Sequence, residues 1–85
     1  MTEIQFDIVD ELYFVTSFEA LAETLSLPEN ALKAELWQLV KQGFVKSFFP
    51  DADNEVSFSE TEFEEKCSQC LFLATKAGLL AHNSR

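Results

Sequence analysis

The sequence predicts a small α+β domain, a single unit of 85 residues organised around the stretch from Thr16 to Lys46. Three observations carry that reading. Two apolar runs at helical spacing flank a short break at Ser26-Leu27-Pro28-Glu29. Gly43 follows the last periodic residue of the second run, where a helix stop is expected. Phe44 to Phe49, FVKSFF, then changes to the aromatic and β-branched composition of a strand.

Taken in order, residues 3–15 (EIQFDIVDELYFV) read as a first helix starting between Glu3 and Asp7. Ile8, Val9, Leu12 and Val15 share its inner face, with Phe6 and Tyr13 at the margins. Asp7, Asp10 and Glu11 form a solvated outer face, and acids near the start suit the positive end of the helix dipole. Thr16 reads as the N-cap of a second helix, with Glu19 completing a capping box. Phe18, Leu21, Ala22 and Leu25 form that helix's apolar face. Pro28 suits the first turn of a third helix, about Pro28 to Gln42, with Leu32, Leu36, Leu39 and Val40 buried. Two helices joined by a turn this short make a helix-turn-helix, in about residues 16–43.

After the strand at 44–49, Asp51 to Glu55 is a turn segment, and Val56 to Ser59 alternates as a short return strand. Glu60 to Lys66 is acidic and forms a helical turn with Phe63 as its inward anchor. Cys70 to Ala74 reads as a buried strand, and Thr75 caps a closing helix, Lys76 to His82, with Leu79 and Leu80 packed inward. The strand at 45–49 has two candidate partners, residues 70–73 or residues 56–59. The first is slightly preferred, and it makes residues 44–74 an extended acidic wing.

LAETLSLPENALKAELWQLVKQGFV resembles the helix-turn-helix of the winged-helix superfamily, as found in many small bacterial regulators. Leu21, Ala22, Leu27, Leu32, Leu36, Leu39, Gly43 and Val45 occupy the pattern positions, and FLATKAGLL is similar to the end of such domains. The resemblance implies a three-helix core, a β wing and a short C-terminal helix. It also implies that the helix at 28–42 is a recognition helix, so DNA binding is the activity the fold suggests.

Composition supports a globular chain, with 47% apolar residues and nine Phe, and sets limits on function. No apolar run is long enough for a membrane span. No basic stretch followed by an apolar one opens the chain, so a cytoplasmic setting is expected. The net charge is −9 and unevenly placed. Residues 1–28 hold acids but no Lys or Arg, and residues 47–66 hold Asp51, Asp53, Glu55, Glu60, Glu62, Glu64 and Glu65 against Lys66 alone. The recognition segment, with Lys33, Lys41 and Lys46, is a near-neutral island between them.

Catalysis has little to work with. His82 is the only histidine and lies near the end of the chain, and Gly43 and Gly78 cannot make a phosphate loop. Cys67-Ser68-Gln69-Cys70 is a lone CxxC without the second ligand pair that zinc needs or the βαβ setting of a redox motif. Two ordinary thiols, with Cys70 as a small core residue, is the plain reading. A non-enzyme with no cofactor, metal or small-molecule ligand is expected.

The outward residues of the recognition helix are Asn30, Ala34, Trp37, Gln38 and Lys41, with Lys33 at the boundary. For DNA, Asn30 and Gln38 would read adenine while Lys33 and Lys41 met phosphate. Several phosphate contacts are needed to hold a duplex, and the acidic wing opposes them. For a protein partner, Trp37, Gln38, Ala34 and Lys41 form the contact face, with Trp37 as anchor. The plainer reading of Trp37 closes the core edge against Phe48 or Phe49. Charge favours a protein partner or self-association; the fold resemblance favours DNA-binding transcription regulation.

Overall fold

A computed structural model describes residues 1–84; Arg85, the only arginine of the chain, lies outside the described residues. In order, the elements are α1 (Glu3–Asp10), β1 (Thr16–Ser17), α2 (Phe18–Leu25), α3 (Glu29–Lys41), β2 (Val45–Phe48), β3 (Glu55–Val56), α4 (Glu60–Lys66), β4 (Leu71–Ala74) and α5 (Lys76–Asn83). A 3-10 turn at Cys67–Gln69 joins α4 to β4. The architecture is therefore mixed α+β, with five α-helices and one four-stranded antiparallel sheet in the order β1-β4-β2-β3.

Local chemistry explains where the helices begin. In α1, Thr2 and Gln5 form a full capping box, each side chain accepting the other's backbone N–H. The same device opens α4, between Ser59 and Glu62. The expected box at Thr16 and Glu19 does not form. Thr16 pairs with Phe72 of β4, which holds it extended, and its Oγ1 donates to the carbonyls of Glu11 and Phe14. Ser17 caps α2 instead, accepting from Ala20 N–H at 3.1 Å. Pro28 is the N-cap of α3, one residue outside the helix rather than in its first turn. Ser26 adopts φ 54 and Gly43 φ 77, so the turns that end α2 and α3 both use left-handed backbone.

The core lies between the first three helices and the inner face of the sheet. Ile8, Val9 and Leu12 meet Phe18 and Leu21 of α2, Leu32, Leu36 and Leu39 of α3, and Phe63, Phe72 and Cys67. Each such side chain contributes roughly 1.5–3 kcal/mol by leaving water. Leu12 is buried although α1 ends at Asp10, because Leu12 C=O accepts Ala74 N–H and ties the segment to β4. Val15, expected on the same helix face, lies beyond the helix and is exposed. Gln5 is buried beside Val9 and donates to Glu35 at 2.9 Å, fixing α1 against α3.

Both candidate pairings of the strand at 45–49 are realised, since a strand has two edges. β2 pairs with β4 through Val45↔Ala74 and Ser47↔Phe72, and with β3 through Ser47↔Val56 and Phe48↔Glu55. The expected return strand at 56–59 is shorter, because Ser59 has left the sheet to cap α4 and Phe58 packs on Phe49. Thr75 caps α5 as expected, accepting Gly78 N–H at 3.0 Å and donating to Gly43 C=O at 2.6 Å. Leu79 packs on the core, but Leu80 does not: it is 59% exposed. No described helix is long and apolar enough to cross a membrane.

Candidate functional site

Asn30, Ala34, Gln38 and Lys41 lie exposed on α3, and Trp37 is partly buried beside them. The reason for Trp37's position is α4, which packs along α3. Phe63 of α4 is buried, and its ring centroid lies 5.1 Å from that of Trp37 and 6.2 Å from that of Phe72. The indole leans on Phe63, not on Phe48 or Phe49. Its Nε1 is buried without a hydrogen-bond partner among the described residues, so the polar end of Trp37 is not presented outward. The anchor expected at the centre of the α3 face is thus partly covered by α4.

The lysines are engaged as well. Lys33 Nζ donates to the Glu64 carbonyl at 3.0 Å and lies 3.6 Å from the Glu64 carboxylate. Lys41 Nζ lies over the Trp37 ring at 6.0 Å. Lys46 sits over Phe48 at 5.9 Å, and Lys66 over Phe49 at 5.3 Å and Phe58 at 6.0 Å. Such contacts hold each cation by a modest amount, about 0.5–1 kcal/mol at exposed sites. Glu60, Thr61, Glu64 and Glu65 line a shallow depression on α4, so the helix beside α3 presents carboxylates to solvent.

This screen was only half legible. ETEFEEK shows an amphipathic turn with one apolar anchor, but the partner of Phe63 is Trp37, twenty-six residues earlier, and no local pattern links them.

Both thiols of the CxxC lie inside the fold. Cys67 and Cys70 are free thiols, both buried, and Cys70 Sγ donates to the Lys66 carbonyl at 3.3 Å. Burial, with Cys70 alongside, pushes the Cys67 thiol from its ordinary 9.0 up to about 12, and burial raises Cys70 as well. A thiol so far from ionising is a poor nucleophile at neutral pH. We expect a disulfide-exchange reagent at pH 8 to label Cys67 only as fast as the chain opens, with labelling accelerated by denaturant. Rapid labelling of both thiols in the native protein would contradict this. Stability should be unaffected by this thiol below about pH 9 and fall as pH rises toward 12, because the unfolded chain ionises first.

His82, near the end of the chain, is held by contacts to α1 and the loop after it. Its Nε2 lies 3.4 Å from Asp10 Oδ1, its Nδ1 is 3.3 Å from Tyr13 Oη, and its ring packs on Phe6 and Tyr13. It ties α5 to α1. No group of three or more His, Cys, Asp and Glu among the described residues is placed to hold a metal ion. Comparison with protein-family models, with curated proteins and with solved structures found no match to this chain.

Proposed function

We propose that this chain is a non-catalytic winged-helix module that acts through protein contacts, with the exposed side of α3 as its docking face. The winged-helix reading rests on the order helix, short strand, helix, helix and two longer strands, with α4 inserted in the wing. The protein-contact reading rests on one observation: acidic α4 lies along α3 and takes Lys33 as its own partner. A duplex on α3 would meet the α4 carboxylates at close range and lose one of its few phosphate-binding cations. A protein partner meets no such repulsion at Ala34 and Gln38, and Trp37 with Lys41 over its ring supplies a ready-made apolar and cationic step. A cytoplasmic setting suits the two free thiols.

The second reading is a DNA-binding transcriptional regulator. In its favour, Asn30, Gln38 and Lys41 are all exposed on the helix that would enter the groove.

Capture from native lysate, with and without nuclease, separates the two. The protein reading expects one captured partner that survives nuclease and is lost with Ala34→Arg, a substitution at an exposed position. Capture that disappears with nuclease would overturn it in favour of DNA.

A further inference from the structure

The chain's two cysteines form a motif that a docking face on α3 leaves unused. Cys67 opens the 3-10 turn between α4 and β4, and Cys70, which follows the turn, donates its N–H to Cys67 C=O at 3.0 Å. Residues at the two ends of such a turn have Cα atoms within about 7 Å, and a disulfide spans about 4.4–6.8 Å between Cα atoms. Both thiols are buried in the same core cluster as Phe63. There is no third cysteine to compete for either of them.

The two ends of this turn are held unequally. Cys70 is tied to the sheet: its C=O accepts Phe18 N–H at 3.1 Å, and Leu71 beside it pairs with Ser17 and Phe48. Cys67 is the C-cap of α4, its N–H donating to Phe63 C=O. α4 lies in the excursion between β3 and β4, outside the strand pairing. It is a helix of seven residues, with Glu60, Glu62, Glu64 and Glu65 all exposed. It is seated by Phe63, by Lys66 over Phe49 and Phe58, and by the Lys33–Glu64 pair. The charges of Lys33 and Glu64 both bear on the Cys67 thiol, so Cys67 lies close to the pair that ties α4 to α3.

An S–S bond brings two sulfurs to about 2 Å, well inside their van der Waals contact. Cys70 cannot give way without breaking the sheet, so the approach falls on Cys67 and the end of α4. Cys70 Sγ also leaves the Lys66 carbonyl, to which it donates at 3.3 Å. We propose that Cys67 and Cys70 form a redox-sensitive dithiol, which a small disulfide oxidises while α4 is lifted, and that the Cys67–Cys70 bond then keeps α4 from reseating on α3.

In the seated form both sulfurs are covered. Lifting a short, charged helix is a local opening that costs less than global unfolding. The Cys70 thiolate, which Lys66 favours, attacks one sulfur of the oxidant, forming a mixed disulfide and releasing one small thiolate. The Cys67 thiolate then attacks the Cys70 sulfur, forming the protein disulfide and releasing the second small thiolate. Two protein thiols are oxidised, one small disulfide is reduced to two thiols, and the two protein protons end on those thiols. Transient, redox-sensing disulfides are the kind found in a reducing cytoplasm. The dithiol acts on α4 whatever docks on α3.

The test is incubation of the full chain with excess oxidised glutathione at pH 8, followed by intact mass and by the fluorescence of Trp37, the only tryptophan. The expected product has lost two hydrogen atoms, carries no glutathione, and forms faster than the chain unfolds globally in the same buffer. Its Trp37 emission is shifted to the red, because Phe63 leaves the indole with α4, and dithiothreitol restores the original spectrum. Cys67→Ala should stop at a glutathione adduct on Cys70. Cys70→Ala should react about tenfold or more slowly than Cys67→Ala, having lost the thiol that Lys66 favours. A wild-type chain that stays reduced, that keeps glutathione, or that oxidises no faster than it unfolds overturns the proposal. So does an oxidised chain whose Trp37 emission is unchanged.

Discussion

Gly78→Ala is expected to destabilise the protein by about 3 kcal/mol, at or above the upper end of ordinary overpacking. Gly78 is buried at the start of α5, and a Cβ there would press into the Phe44 carbonyl oxygen and lie 2.9 Å from its carbon. The obstacle is backbone, so no side chain can rotate away. Nor can Phe44 retreat cheaply. Its carbonyl accepts Thr75 N–H at 3.0 Å, and the preceding carbonyl, of Gly43, accepts Thr75 Oγ1. The end of α3 and the start of α5 are clamped at this point, and the methyl group would force them apart. Urea unfolding should show a midpoint lowered by a large fraction of its wild-type value, since a domain of this size has only about 4–13 kcal/mol in hand. A change below about 1 kcal/mol would mean that α5 is not seated as described.

Phe63→Ala should cost about 3–5 kcal/mol, the usual range for a buried phenylalanine. Phe63 is 2% exposed and joins Trp37 to Phe72, so its loss opens a gap between α4, α3 and the sheet. The consequence reaches the candidate site. With its anchor removed, α4 should detach first, releasing Lys33 from Glu64 and exposing the Trp37 indole. Phe63→Leu keeps most of the volume and should remain folded, with a smaller loss. In that variant the Trp37 fluorescence maximum is expected to shift to the red, reporting a wetter indole. An unshifted emission in a destabilised variant would show that Trp37 does not depend on α4.

The helical part of this fold was open to reading because its signals are local. Leu32, Leu36 and Leu39 repeat at helical spacing, Gly43 marks the stop with φ 77, and Thr75 caps α5 from the residue immediately before it. The errors came from long-range partners. Thr16 has the side chain of a cap, but Phe72 pulls it into the sheet. Tyr13-Phe14-Val15 continues an apolar pattern from α1, yet the chain turns at Glu11 because Leu12 is fixed to Ala74. Two capping boxes, Thr2 with Gln5 and Ser59 with Glu62, are local signals of the same kind.

The same division holds for the site. Exposure of Asn30, Ala34, Gln38 and Lys41 follows from helical period alone. The state of Trp37 and Lys33 does not, because both are decided by α4, which arrives from the far side of β2 and β3. Acidic character in residues 60–65 could be counted, but its placement beside α3 required the fold.

That placement is the central claim, and binding of a labelled random-sequence duplex at low salt tests it most directly. Low salt is the condition that most favours a polyanion, since counterion release makes any phosphate-driven binding tightest there. No complex is expected at protein concentrations well into the micromolar range. A complex that forms at low salt and weakens steeply as salt is added would contradict it, and would return α3 to the major groove.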